Sequence, residues 1–220
     1  MTVPARFATD FPKRCLELLE NFEHQAGRLN LLTSFGVTMA SALLVIPMER
    51  QGKKHPFREQ EYGSSLQKAL RVLERQRWQL ADFWEGAHPL GWHFSRIVTD
   101  PNLVGGWLDQ NGVPSASAGA DTMERRSVSE VLRVLRNALA HGNIVYLDPT
   151  RSEVPGLPVR YIAFLSRYEQ PAPTSGTSGV AMPETYRVVI VPDEDFIAFL
   201  KDWARWLMRY AADEVDVVAA

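Results

Sequence analysis

Residues 126–142 read Arg-Ser-Val-Ser-Glu-Val-Leu-Arg-Val-Leu-Arg-Asn-Ala-Leu-Ala-His-Gly, and the rest of the chain is organised around them. Ser127 and Glu130 have the spacing of a capping box, in which each side chain satisfies a backbone N–H at the start of a helix. Gly142 stands where a left-handed glycine ends one. Between these signals Val128, Val131, Leu132, Leu135 and Leu139 recur at helical spacing and define one apolar stripe. The opposite face carries Glu130, Arg133, Asn137, Ala140 and His141, with Arg136 at its edge. Ala140 is the only small apolar residue there, so another backbone can approach closely. An arginine, an amide and an imidazole beside such an alanine suggest a phosphate-handling site at a helix–helix interface.

Arg136-Asn137-x-x-x-His141 resembles the Arg-x4-6-His signature of the HEPN superfamily, the "higher eukaryotes and prokaryotes nucleotide-binding" domains. In that family a polar residue, often Asn, follows the Arg, as Asn137 does here. The surrounding VLRVLRNALAHGNIVYLD and a long apolar helix upstream resemble a plasmid-borne bacterial group of that superfamily, over roughly residues 11–148. The resemblance implies a helical bundle with the signature near the end of a late helix. It also implies metal-independent cleavage of RNA by paired signatures across a homodimer, with no cofactor. The candidate catalytic residues are then Arg136, Asn137 and His141.

Their chemistry suits that task. An imidazole, with an ordinary pKa of about 6.5, can take a proton from a ribose 2′-OH or give one to the leaving 5′-oxygen. A guanidinium can hold non-bridging phosphate oxygens and stabilise developing charge. Asn137, about 40° from His141 around the helix, can orient the imidazole or donate to phosphate. The products would be a 2′,3′-cyclic phosphate and a 5′-hydroxyl. One helix supplies one histidine, and a two-fold dimer supplies the second acid or base.

The resemblance further implies a toxin or phage-defence effector, with RNA as substrate and an antitoxin or regulatory protein as partner. The alternative is a catalytically idle HEPN-like bundle that binds a nucleotide or a protein. There His141 would only complement the helix dipole, and Arg136 would pair with a carboxylate. Some HEPN toxins carry Arg-x4-His-x-Tyr with a modifiable tyrosine; Asn143 holds that position here.

Composition sets bounds on these readings. The 220 residues, 45% apolar and 23% charged, describe an ordinary globular chain, read as one domain over 1–220. A net charge of −2 excludes a global basic field, so any RNA contact must be local. The single cysteine, Cys15, excludes an intramolecular disulfide and fits a reducing compartment. No basic, apolar leader opens the sequence, and we read the protein as cytoplasmic. The most apolar stretch, Leu29–Met48, contains Asn30, Thr33, Ser34, Thr38 and Ser41 and reaches Pro47, which suits a buried helix rather than a membrane span. His24, His55, His88 and His93 show no metal-ligand spacing. No phosphate-binding glycine motif occurs.

Along the chain, a helix is expected from Phe11 with Cys15, Leu18, Leu19 and Phe22 on one side, ending near Gly27. Leu29–Met48 should be the central helix, apolar almost all round, ended or kinked by Pro47. Gln51–Glu61 reads as a polar connector. Ser64 should cap a third helix with a stripe of Leu66, Ala69, Leu70, Leu73, Leu80, Ala81 and Trp84. Its other side carries Arg71, Arg75 and Arg77, either a solvated face or a track for RNA phosphates. Residues 86–126 are irregular, with Trp92, His93, Phe94 and Trp107 suggesting a short helix or an aromatic lid. Ile144–Leu147, Arg160–Ser166 and Tyr186–Val191 read as strands, with 170–184 as a hairpin tip. A last helix from Pro192-Asp193 should bury Phe196, Phe199, Leu200, Trp203, Leu207 and Tyr210. The expected fold is mainly α: a HEPN-like bundle core over 11–142, a small antiparallel β-meander inserted at 143–192, and a C-terminal helix over 193–213.

Overall fold

A computed structural model describes residues 7–46, 64–86, 91–97, 123–168 and 185–212. In chain order the elements are α1 (Phe7–Arg28), α2 (Leu32–Ala40) running into a π-helical turn (Ser41–Val45), α3 (Ser64–Leu73), β1 (His93–Ile97), α4 (Val128–His141), β2 (Ile144–Leu147), β3 (Tyr161–Tyr168), β4 (Thr185–Pro192) and α5 (Asp193–Ala212). The four strands form one sheet in the order β1-β4-β3-β2, with every neighbouring pair antiparallel. The fold is therefore mainly α with a small antiparallel sheet. Pro47, the connector 51–61, Trp107 and the tip 170–184 lie outside the described residues.

Helix α1 lies antiparallel along α5. Glu23 pairs with Lys201, and Glu20 with Arg205 at 2.8 Å, so the partner number falls as the other rises. Its buried stripe is narrower than the apolar pattern suggests. Cys15 and Leu19 are buried, but Leu18 and Phe22 are 44% and 48% exposed. They line an open apolar groove with Leu29, Leu31 and Phe35. The chain breaks at Asn30, whose φ of 56° is left-handed, so the second helix starts at Leu32 instead of Leu29.

The π-helical turn that follows buries Leu43 and Leu44. The Trp203 indole Nε1 of α5 donates to the Leu43 carbonyl at 3.3 Å and ties this turn to the last helix.

The stripe of α5 is as read, with Phe196, Phe199, Leu200, Trp203 and Leu207 buried and Tyr210 half-buried. Phe199 sits in an aromatic cluster, 5.2 Å from Trp78, 5.6 Å from Phe83 and 5.4 Å from Trp92 between ring centroids. Full burial of each such side chain contributes roughly 1.5–3 kcal/mol.

Two further regions differ from the sequence reading. The third helix stops at Leu73, leaving Leu80 exposed and burying Trp78. It stops because its following turn serves α4: the Glu74 and Gln76 carbonyls accept from the N–H groups of Ser129 and Val128 at 3.2 and 2.9 Å. Residues 93–97, expected as a helix or lid, form the edge strand β1. Trp92 and Phe94 share one side and enter the core, as strand alternation requires.

Both faces of the sheet are covered. Ile162 and Phe164 of β3, with Val189 and Val191 of β4, join the main core beneath the helices. Val145, Leu147, Ala163, Leu165, Val188 and Ile190 form a second buried cluster on the other face.

Candidate functional site

The signature helix α4 is fixed at both ends. At its start the capping box is complete: Glu130 N donates to Ser127 Oγ at 3.2 Å, and Ser127 N donates to Glu130 Oε2 at 3.0 Å. With the two carbonyls of the 74–76 turn, the first three backbone donors of the helix all have acceptors, which is the accounting a helix start demands. At its end Gly142 takes φ 70°. Asn143 N donates to the Ala138 carbonyl at 2.9 Å, closing the turn. The Asn143 carbonyl then accepts from Leu165 N at 3.0 Å, which ties the helix end to the middle of β3.

Helix α4 buries more than the predicted stripe. Val134 and Ala138 are buried as well, because the helix lies between the π-helical turn on one side and β3 and β4 on the other. Asn137 is consequently turned toward the sheet, where the sequence suggested a second helix. Ala140 and His141 stay exposed.

Between α4 and the sheet lies a cleft of about 460 Å³, the size of a small-ligand site. The helix lines it with Arg133, Val134, Asn137 and His141, and Asn143 closes the end. Strands β3 and β4 contribute Ser166, Arg167 and Arg187. Ser166 and Arg187 are direct cross-strand partners, so they point to the same side, the one that carries Phe164 and Val189.

The cleft is rich in basic residues. Arg133, Arg167 and Arg187 are among its lining residues, and no carboxylate is among those described. The nearby acid is Glu130, which also pairs with Arg126 at 2.9 Å. Burial alone would raise the Glu130 carboxyl. The Ser127 N–H and the charges of Arg126 and Arg187 outweigh it and hold the group below its usual range. Arg126 in turn lies 4.9 Å from the centroid of the Phe94 ring.

Asn137 and His141 both reach this cleft, whereas Arg136 is half-buried and outside its described lining. Arg136 Nη2 donates to Asn137 Oδ1 at a long 3.4 Å, and Asn137 Nδ2 donates to Ser166 Oγ at 3.0 Å. A guanidinium can only donate, so this pair sets which way the amide faces. Asn137 itself lines the cleft. Among the described residues no carboxylate pairs with Arg136 or His141, and no cluster of metal-ligating side chains occurs.

Sequence reasoning placed Arg133 on the polar face without a role and missed Ser166, Arg167 and Arg187. A signal was present. Ile162, Phe164, Ser166 and Arg187, Val189, Val191 alternate, and each strand puts a polar residue at one inward position of an apolar row.

A bundle whose late helix ends in this arginine, amide and imidazole, opening on a positive cleft, defines a HEPN-type domain. The family model described as HEPN pEK499 p136 matches residues 1–214, and the chain belongs to that family. The match runs through the sheet and the last helix, beyond the stretch that carried the resemblance. A search of curated proteins gave no match, and a search of solved structures gave none. Among the described residues no helix is long and apolar enough to cross a membrane.

Proposed function

We propose that this protein is a metal-independent endoribonuclease of the HEPN type, acting as a toxin or phage-defence effector in the cytoplasm. The observation that carries the reading is that His141 and Asn137 line a cleft together with three arginines. In that setting His141 takes the proton of a ribose 2′-OH as the oxygen attacks the adjacent phosphorus. The O2′–P bond forms, the P–O5′ bond breaks, and the leaving 5′-oxygen gains a proton. The products are a 2′,3′-cyclic phosphate and a 5′-hydroxyl. Asn137 donates its free N–H to a phosphate oxygen, and the arginines offset the charge that builds there.

His141 is the only imidazole among the described lining residues. A second chain related by a two-fold axis would bring another, so that one acts as base and one as acid. The exposed Ala140 leaves room for such an approach.

The test is cleavage of RNA by the purified chain. Loss of one acid–base group costs about 10²–10⁴ in rate, so His141→Ala should show almost no cleavage. Arg136→Ala should be similarly impaired. The exposed His141 should be replaceable without a change in melting temperature. Activity should persist in EDTA, and the 3′ ends should be cyclic phosphate. Cleavage by His141→Ala at the wild-type rate would overturn the reading. A wild-type chain that cuts no RNA would leave the binding module in its place.

A further inference from the structure

The signature names one arginine, yet the geometry points to a different one as the phosphate ligand. We propose that Arg187 of β4, with Arg133 and Arg167 at the rim, forms the phosphate subsite of the cleft. Arg136 is then a positioning residue that acts through Asn137. For the identity of the ligand, single-stranded RNA, this rests on the ribonuclease reading above.

Four observations converge on Arg187. It lines the cleft that His141 and Asn137 reach, whereas Arg136 does not. It is only 8% exposed, so its guanidinium is already ordered and sits in low-dielectric surroundings, where a fixed charge acts most strongly. It stands opposite Ser166, which accepts from Asn137, so the amide and the guanidinium are held on one side of the same pair of strands. Its positive charge also reaches the Glu130 carboxylate of α4, which it helps to hold below its usual range, so it acts on the helix side of the cleft as well.

A charge of this kind on the inward face of a sheet is expensive to bury. A planar fork that can donate to two phosphate oxygens suits a cleft of this chemistry. Arg133 and Arg167 are exposed and flank it from the helix and from β3. They suit the neighbouring phosphates of a strand that passes over the cleft. A volume near 460 Å³ admits about one nucleotide, so the site should grip one phosphate deeply and its neighbours loosely.

The probe is a fluorescein-labelled, six-nucleotide 2′-O-methyl RNA, which lacks the nucleophilic hydroxyl and cannot be cut by this chemistry. Its binding to the full chain is followed by anisotropy over a range of salt. Charged hydrogen bonds of this type convert to a loss of about tenfold or more in affinity for Arg187→Gln. The slope of log affinity against log salt should fall by about 0.7 for each phosphate contact removed. The exposed pair Arg133→Ala/Arg167→Ala should weaken binding as well, and it keeps the test valid if Arg187→Gln fails to fold. Arg136→Ala should bind within about twofold of wild type. In cleavage it should lower kcat with KM nearly unchanged, where Arg187→Gln raises KM.

Wild-type affinity in folded Arg187→Gln, or in the Arg133→Ala/Arg167→Ala pair, overturns the subsite. So does a wild-type chain that does not bind the probe, or an Arg136→Ala variant that loses the most affinity. The two readings separate cleanly. Binding through Arg187 in a chain that cuts nothing upholds the subsite and sinks the nuclease. Cleavage that needs His141 but ignores Arg187 does the reverse.

Discussion

Replacing Glu130 by glutamine removes a charge while leaving a cap in place, and it tests how the fold and the cleft share one carboxylate. Glu130 Oε2 accepts from Ser127 N at 3.0 Å, and an amide oxygen can keep that bond. Oε1 accepts from Arg126 Nη1 at 2.9 Å, with the two side chains 13% and 29% exposed. An amide presents two N–H donors to Arg126 unless it gives up the cap, so one of the two bonds must go. A charge-assisted bond is worth roughly 1.5–3 kcal/mol, and an exposed ion pair roughly 0–1 kcal/mol. This pair is mostly covered, and Arg187 loses the nearby charge of Glu130 as well. We therefore expect a loss of about 2 kcal/mol near neutral pH.

The pH dependence follows from the direction of the shift. The Ser127 N–H and the charges of Arg126 and Arg187 overcome burial and hold the Glu130 carboxyl below its ordinary value of 4.5 in the folded state. A depressed carboxylate contributes stability that is fully present above its unfolded pKa and is lost as pH falls through its folded value. Urea unfolding followed by tryptophan fluorescence should place the Glu130→Gln midpoint lower by roughly 1 M at neutral pH. The gap should close on acidification below the ordinary carboxylate range. Equal midpoints at neutral pH would refute the reasoning, as would a gap that stays constant on acidification. Stability and binding should also move in opposite senses. With the Glu130 charge removed, Arg187 should hold the RNA probe more tightly in Glu130→Gln, even as the fold weakens.

Two further outcomes can be checked with single substitutions. Gly142→Ala meets no atom within 4 Å, so its cost is the left-handed backbone alone, about 1 kcal/mol in thermal or urea unfolding. Because Asn143 links this turn to β3, cleavage should fall by more than that loss of stability explains. Ala140→Trp should leave the melting temperature unchanged, since the position is exposed. If the signature helices of two chains face each other, it should shift light scattering from dimer toward monomer. A wild-type monomer at micromolar concentration would remove the dimer from the proposal.

How much of this was legible in the sequence depends on how local each determinant is. Helix α4 could be read end to end because its caps, Ser127, Glu130 and Gly142, act within a few residues of the bonds they make. Helix α5 and strands β2, β3 and β4 were legible for the same reason. Their period and their turn residues lie inside the segment itself. The apolar pattern over-read α1, because a stripe shows which residues can be buried and not which ones a partner reaches. Leu18 and Phe22 share spacing with Cys15 and Leu19, but only the latter pair is buried. The end of α3 was illegible because its cause lies about fifty residues further on, in the N–H groups of Val128 and Ser129.

The site divides along the same line. Arg136, Asn137 and His141 stand out because one helix turn brings them together. Ser166 and Arg187 are 21 residues apart and meet only through the register of β3 with β4, which alternation alone does not supply. A motif on one helix therefore under-determines its own chemistry. His141 is exposed on a helix end that any mobile turn would let wander. What gives it a defined position is the bond from Leu165 to Asn143 behind it, and the bond from Asn137 to Ser166 beside it. Both run to the sheet. The strands that the sequence suggested as an insertion therefore supply three of the eight described lining residues and hold the signature helix at its working end, so a substitution in β3 or β4 should affect the site as directly as one in the signature itself.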